Sequence, residues 1–342
     1  MSFETTLFNE YWHLLCHRKE LPEHGDFVRF DTPAGEVVVF NDGGELVAFD
    51  NRCPHRGARI YHADHGNQAA TCQYHGWTFQ KGRMIIPERE SFAHCRIETA
   101  SFNTLPLDWC GDFVFLGVAP RQSLYEQLGG VAEILENVSF NISGRHDFNR
   151  YEFECYWPLA VENALEPYHI SMVHPSTLGT LCLEVGENVF DGLNSVWYAP
   201  VGNEKVRKKL ASLKRFFQLD FQYEGYMSIY LFPFTMLSST FGYSYSLQHF
   251  FPNSANSDYA SFTSRLLSTP TSSAAAEAVV KPFLDSTARV NRQVFDEDHA
   301  ICKTVPRDSW STQPLRFASA SETKIAHFRE NCKNVQLRKF YA

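Results

Sequence analysis

The segment that decides the fold runs from residue 53 to residue 77 and reads CPHRGARIYHADHGNQAATCQYHGW. It opens with Cys53-Pro54-His55 and closes on Cys72-Gln73-Tyr74-His75, so each end supplies one thiolate and one imidazole. Each end also follows a run with β-strand character, and loops that follow strands in this way are expected to converge. The segment therefore predicts one inorganic centre that is held by two loops.

Two kinds of centre use two cysteines and two histidines. Tetrahedral zinc takes all four around one ion, whereas a Rieske [2Fe–2S] cluster gives one iron both cysteines and the other iron both histidines. Ordinary zinc motifs group the cysteines in one segment and the histidines in another, but here each segment mixes the two types. Gly57 and Gly76 follow the two histidines, and such turns let backbone amides point at cluster sulfurs. The pattern favours the cluster, with the ligands Cys53, His55, Cys72 and His75.

The amino-acid composition limits the classes of protein and of partner that fit this chain. The 342 residues are 44% hydrophobic and 20% charged, which is typical of a folded globular protein with room for two domains. The net charge of −8 argues against nucleic acid or an anionic membrane as the partner. The nine cysteines are scattered, the first residues do not resemble a signal peptide, and no apolar run approaches the roughly 20 residues of a membrane span. We therefore expect a cytoplasmic protein.

The hydrophobic pattern divides the chain into a strand-rich part and a mixed part. Short strands with turn signals such as Asn41-Asp42-Gly43-Gly44 dominate residues 1–120. Beyond them we predict helices over residues 123–136, 160–174 and 272–305, and aromatic-rich strands between residues 189 and 267. The predicted fold class is α+β. A β-rich domain (residues 1–130) precedes a mixed domain of helices and strands (residues 131–342).

A second metal motif lies in the mixed part. Glu166, His169 and His174 provide a carboxylate three residues before the first of two histidines, which suits a ferrous site with two histidines and one carboxylate. Five residues of regular helix turn by roughly 500°, so the helix must end or distort between the histidines. Pro167 and Pro175 make that break plausible.

The two motifs together resemble those of the Rieske non-haem iron oxygenases, the ring-hydroxylating oxygenase family, in their catalytic alpha subunit. The resemblance implies a Rieske [2Fe–2S] domain over residues 1–130, followed by a catalytic domain over residues 131–342 in which helices cover an antiparallel sheet, as in a helix-grip fold. It implies that His169 and His174 bind a mononuclear Fe(II). It also implies an aspartate on a late helix as third ligand, for which Asp298 is the best match and Asp296 the second choice.

The resemblance implies a further role for Glu166, as the bridge that carries electrons from the cluster of one subunit to the iron of the next. Most family members carry Asp there, and Glu is found in the branch that acts on quaternary ammonium compounds. Asn163, in the same segment, is a second candidate for a catalytic residue. The Asn-Trp-Lys that usually precedes this helix is replaced by Tyr156-Trp157-Pro158.

The implied activity is a mono- or dioxygenation of the kind used in aromatic hydrocarbon catabolism. The chain would use O2 and electrons from NAD(P)H, delivered by a separate reductase or ferredoxin, since it has no Gly-rich dinucleotide fingerprint. It would hydroxylate or oxidatively demethylate a small organic substrate, for which an aromatic compound is the first expectation. The family architecture implies a homotrimer. Three alternatives stay open: an oxygenase for quaternary ammonium or N-methyl compounds, a Rieske electron carrier without oxygenase activity, and a zinc-structured binding module.

Two further features bear on substrate. The aromatic residues of segment 216–251 would either line an apolar pocket or pack the sheet, and Tyr243 and His249 are candidates for orienting a substrate. The basic run of residues 205–209 would form a solvated helix face. Alternatively, it would dock an acidic electron donor or attract an anionic substrate.

Overall fold

The N-terminal part of the molecule consists mainly of short strands. The computed structural model describes residues 2–338, so residue 1 and residues 339–342 of the two predicted domains lie outside it. The elements are α1 (Phe3–Glu10), β1 (Trp12–His17), β2 (Asp26–Thr32), β3 (Gly35–Asp42), β4 (Glu45–Asp50), β5 (His65–Asn67), β6 (Ala70–Thr71), β7 (Thr78–Gln80), β8 (Arg83–Ile85), β9 (Thr104–Leu105), β10 (Leu107–Cys110) and β11 (Phe113–Gly117).

Turn chemistry fixes the register of these strands. Asn41 Oδ1 accepts the amide of Gly44 at 2.7 Å, and Gly43 and Gly44 both have positive φ, so the predicted turn closes the β3–β4 hairpin. The order β5-β2-β3-β4-β9 forms one sheet, and β6-β7-β8 and β1-β11-β10 form two smaller ones. The first Cys/His loop follows β4 and the second joins β6 to β7, which brings the two loops to one end of the domain. The predicted meander is confirmed.

The C-terminal part is a seven-stranded antiparallel sheet with helices on both faces, in the order β12-β18-β17-β16-β15-β14-β13. Its elements are α2 (Leu124–Leu128), α3 (Val131–Phe140), β12 (Gly144–Phe153), α4 (Trp157–Leu165), α5 (Ile170–Val173), β13 (Glu187–Asp191), β14 (Asn194–Ala199), α6 (Glu204–Leu213), β15 (Tyr226–Leu231), β16 (Thr235–Thr240), β17 (Ser244–Pro252), β18 (Ala260–Ser268), α7 (Ala274–Cys302) and α8 (Thr323–Arg338). Residue 130 lies between α2 and α3, and the domain boundary there stays a prediction.

Alternation along the central strands gives the large sheet two different faces. On β15, Met227 and Ile229 pack with residues of α2 and α3 in one apolar cluster, while Tyr226 and Ser228 point to the opposite side. The opposite side is covered by α4, α7 and α8 and encloses the candidate site. No helix among residues 2–338 has both the length and the apolarity to cross a bilayer.

The helix expected over residues 160–174 is broken at two places. Helix α4 ends at Leu165, and Glu166 is extended with φ −112° and ψ 140°. A residue that precedes proline avoids the helical region, so Pro167 accounts for this additional break before His169. The short α5 then ends at Val173, and His174 has φ −116° and ψ 42°, so the helix also ends between the two histidines, as expected.

Candidate metal centres

The two Cys/His loops have the same backbone geometry. In each loop the cysteine amide bonds across the turn and the cysteine carbonyl accepts from the glycine that follows the histidine. Both glycines have the positive φ that this turn needs, 72° and 73°. The bonds are Cys53 N to Ala58 O (2.8 Å) and Gly57 N to Cys53 O (2.8 Å) in the first loop, and Cys72 N to Trp77 O (2.8 Å) and Gly76 N to Cys72 O (2.9 Å) in the second.

The cysteine side chains of the two loops are more deeply buried than the histidine side chains. Cys53 and Cys72 are buried, whereas His55 and His75 lie nearer the surface with their Nδ1 atoms 3.2 Å apart. The His55 ring stacks on Trp77 with centroids 4.8 Å apart. Burial raises the pKa of the Cys53 thiol, while the backbone amide of its own loop at His55 opposes the increase. Two inner sulfurs and two outer imidazoles fit a Rieske cluster, in which each iron takes one of these pairs.

The second site joins α5 to the late helix α7. One ligand atom each from His169, His174 and Asp298 lie within 4.8 Å of one another. Asp298 Oδ1 is 3.0 Å from His174 Nε2 and 3.5 Å from His169 Nε2. Among the histidine, cysteine, aspartate and glutamate side chains of residues 2–338, these three lie close enough together to share one metal ion.

A carboxylate holds the far side of each imidazole. Glu166 Oε1 accepts from His169 Nδ1 at 2.6 Å, and Glu297 Oε2 accepts from His174 Nδ1 at 2.7 Å. With Nδ1 donating to these carboxylates, the neutral imidazoles would present their Nε2 lone pairs to an ion bound beside Asp298. This donor set, with its orienting carboxylates, fits a ferrous ion.

Two further hydrogen bonds hold the Glu297 carboxylate in place. Thr177 Oγ1 donates to Glu297 at 2.7 Å and Gln293 Nε2 donates at 2.9 Å. Burial by itself would raise the pKa of Glu297, but the bonds from Thr177, His174 and Gln293 outweigh it and hold the pKa below its usual range. Burial would likewise lower the pKa of His174, but Asp298 and Glu297 raise it above its usual value. Glu297 therefore stays ionised beside a strongly polarised imidazole.

The structure separates the remaining sequence candidates. Asn163 lies beside the group, and its Nδ2 donates to Asp298 Oδ1 at 2.8 Å. Asp296 is exposed on the other side of α7, two residues and about 200° away from Asp298. Glu297 was passed over by the sequence reasoning, although it stands in the same acidic run. Nothing in the sequence pointed to Lys324, which α8 brings into the site.

A cavity adjoins the candidate ligands. A volume of about 70 Å³ lies against His169, His174 and Asp298, and a volume of about 360 Å³ adjoins it between the sheet and helices α6 and α7. The sheet contributes a largely polar wall with Ser228, Ser238, Ser246 and Gln248.

Of the aromatic residues in segment 216–251, Tyr226 lines both cavities, whereas most of the others lie elsewhere. Phe232, Phe234 and Phe250 pack in the main core. Tyr243 donates to Leu210 O at 3.0 Å, and His249 is buried with its Nε2 2.6 Å from Leu14 O. Packing of the sheet, the second of the two expectations, accounts for them.

Known proteins with similar sequences match both halves of the chain. Residues 11–93 match the Rieske [2Fe-2S] domain, and residues 143–335 match the ring hydroxylating alpha subunit, catalytic domain. The anthranilate 1,2-dioxygenase large subunit of Acinetobacter baylyi is 29% identical over 57% of this chain and 45% of its own length. The glycine betaine monooxygenase oxygenase subunit of Pseudomonas aeruginosa is 25% identical over 51% of this chain and 42% of its own length. The chain thus spans about half the length of the curated relatives it matches.

Solved structures share the fold. The quaternary ammonium Rieske monooxygenase CntA superposes with a TM-score of 0.76 at 20% identity, over 97% of this chain and 90% of its own. Naphthalene 1,2-dioxygenase superposes with a TM-score of 0.75 at 17% identity, over 97% and 89%.

Proposed function

Because this chain belongs to the family of ring-hydroxylating alpha subunits, we propose that it is the terminal oxygenase of a Rieske-type system. It takes electrons from a separate NAD(P)H-dependent reductase or ferredoxin and uses O2 to hydroxylate or oxidatively demethylate a small organic substrate. The observation that carries the proposal is the convergence of His169, His174 and Asp298 beside a cavity. It occurs in a chain that also has a Rieske domain.

We propose that the two Cys/His loops bind the [2Fe–2S] cluster and that the second site binds a ferrous ion. Bound there, the cluster supplies single electrons and the ferrous ion supplies a site for dioxygen chemistry. The protein's own part is to orient: Glu166 and Glu297 hold the Nδ1 protons of the two histidines, and Asn163 holds Asp298. The cluster ligands are Cys53, His55, Cys72 and His75, and the iron ligands are His169, His174 and Asp298.

We further propose that Glu166 connects two subunits of a homotrimer. Surface near both centres supports a subunit contact, because Tyr168 is 69% exposed and Met172 is 83% exposed beside Glu166, and Tyr74 is 56% exposed beside His75. Such a contact would place the cluster of one subunit against the iron site of the next. Apart from the two proposed cluster ligands, the other seven cysteines are not paired in disulfides among residues 2–338, which supports a cytoplasmic setting.

Two substrate classes follow from the relatives. Anthranilate 1,2-dioxygenase favours an aromatic compound, and glycine betaine monooxygenase favours a quaternary ammonium compound. Glu166, in place of the aspartate usual in the family, supports the second class, whereas the apolar groups of Phe295 and Val294 in the cavity wall support the first. The aromatic class is proposed first.

Oxygen uptake coupled to a reductase tests the proposal. Wild-type protein should consume O2 and form product with at least one aromatic acid, methoxyarene or methylated amine. The matched histidine variant His327→Ala, outside the site, should do the same, and His174→Ala should form no product. Reduction of the cluster without product formation from any of these compounds would identify an electron carrier and contradict the proposal.

A further inference from the structure

Lys324 is a buried lysine in the cavity beside the candidate iron ligands. The residue is 3% exposed and lines the same cavity as His169, His174 and Asp298. Its Nζ lies 5.2 Å from the centroid of the Trp197 ring. Among residues 2–338, no carboxylate comes within 4.0 Å of that nitrogen. A buried ammonium group without an ion partner is costly, so its position calls for an explanation.

The fold holds Lys324 firmly in this position. It is the second residue of α8, and a buried ion pair docks this helix on α4, where Arg329 donates to Glu162 at 2.6 and 2.8 Å. Trp310 donates to the same carboxylate at 2.9 Å. Bidentate pairing of this kind restrains both partners. Lys324 is therefore presented to the cavity by a fixed helix and not by a mobile loop.

A second donor lines the same cavity. Ser228 on β15 is directly opposite Trp197 on β14, so the two side chains emerge on the same face of the sheet. The Ser228 hydroxyl is buried, and among residues 2–338 it has no hydrogen-bond partner. The cavity wall thus contains the Lys324 ammonium group over the Trp197 ring and the Ser228 hydroxyl on the strand opposite Trp197, and a carboxylate can accept a hydrogen bond from either donor.

We infer that Lys324 recognises the substrate and that the substrate is a small organic carboxylate, with Ser228 as the second donor to its anionic group. The inference rests on the proposed function and narrows its substrate class. The remainder of the substrate would extend past Tyr226 towards the candidate iron ligands, which line the same cavity.

The same geometry disfavours a ligand that is only cationic. Quaternary ammonium groups are held over aromatic faces, but the face of Trp197 is already covered by Lys324. Burial lowers the pKa of Lys324 to about 7, with Glu166 acting in the opposite direction, and a bound carboxylate would favour the protonated form. A purely cationic molecule in this cavity would favour the neutral amine of Lys324 and would gain no ion pair from it.

Calorimetric binding of matched acid and amide pairs to the holoenzyme tests the inference. The probes are benzoate with benzamide, phenylacetate with phenylacetamide, and butyrate with butyramide. Wild-type protein should bind at least one carboxylate about tenfold or more tightly than its amide, as expected for a charge-assisted bond in a buried site. Lys324→Met should lose this preference and leave amide binding unchanged. Lys324→Arg should retain part of it, and Lys333→Met, a partly exposed lysine of the same helix, should behave as wild type.

Each result decides the question. The inference is overturned if no carboxylate is preferred over its amide, or if Lys324→Met retains the wild-type preference. Folding of Lys324→Met is checked by its melting temperature, which should not fall because the variant buries an apolar chain. Binding needs no turnover, so the two proposals fail separately. Carboxylate preference without product formation would contradict only the oxygenase proposal, and turnover of uncharged compounds without carboxylate preference would contradict only the role of Lys324.

Discussion

Replacing Glu297 by glutamine tests whether this carboxylate orients the second iron histidine. Glu297 Oε2 accepts from His174 Nδ1 and from Thr177 Oγ1, both at 2.7 Å. Glutamine retains an acceptor oxygen but loses the charge. Hydrogen bonds to charged groups contribute about 1.5–3 kcal/mol and neutral ones about 0.5–1.5 kcal/mol, so the loss is about 1–1.5 kcal/mol. This corresponds to Fe(II) binding that is about five- to tenfold weaker.

Glu297→Ala removes the acceptor entirely and should weaken binding by about 10- to 100-fold, the usual effect of losing a partner that orients a metal ligand. The assay is anaerobic competition for Fe(II) with a chromophoric chelator, while the visible absorption of the cluster is followed in the same sample. Asp296→Asn is the matched control, since it removes one negative charge from the adjacent, exposed position of α7.

Two results would refute this reasoning. If Glu297→Gln binds Fe(II) within about twofold of Asp296→Asn, Glu297 does not support His174. If Glu297→Gln loses the mononuclear iron completely, the carboxylate is itself a ligand and the proposed ligand set is incomplete.

Three other perturbations address different parts of the molecule. Glu166→Gln should slow product formation per bound mononuclear iron while reduction of the cluster by dithionite is unchanged, and stopped-flow absorption with product analysis separates the two. Arg329→Met leaves the buried carboxylate of Glu162 unpaired and should cost about 3–5 kcal/mol in denaturant unfolding, most of which Glu162→Gln should restore in the double variant. Lys324 has a pKa of about 7 in the folded chain against an ordinary 10.5, so between these values the unfolded chain binds more protons and stability rises with pH. The melting temperature of wild type should therefore approach that of Lys324→Met between pH 7 and about pH 9.

The parts of the site that sequence reasoning found are those held by local motifs. Cys53 and His55 are two residues apart, and Glu166 and His169 are three apart, so the spacing itself carries the geometry. Asp298 lies far along the chain and was reached by resemblance to the family. The residues that were missed share no such spacing. Lys324 enters the cavity only because α8 docks through Glu162 and Arg329, a contact between distant segments.

The expectations about local structure were limited by tertiary packing in a similar way. The end of the helix between His169 and His174 was anticipated from the angle between these residues and is observed, but the additional break at Glu166 depends on its extended backbone before Pro167. The aromatic side chains on these strands were compatible with a pocket but favoured packing of the sheet, and alternation alone does not tell which face is covered. The polar residues Ser228 and Gln248, which carry no distinctive sequence pattern, line the cavity together with Tyr226 and apolar groups.

The central claim is that one chain carries two separate iron centres, and a count of iron and acid-labile sulfide per chain tests it most directly. Wild-type protein should contain about three iron and two sulfide per chain, two of the iron atoms being in the cluster. His169→Ala should lose about a third of the iron and retain its sulfide and its visible absorption. Loss of cluster colour and sulfide together with the iron in His169→Ala, or zinc without sulfide in wild type, would contradict the account.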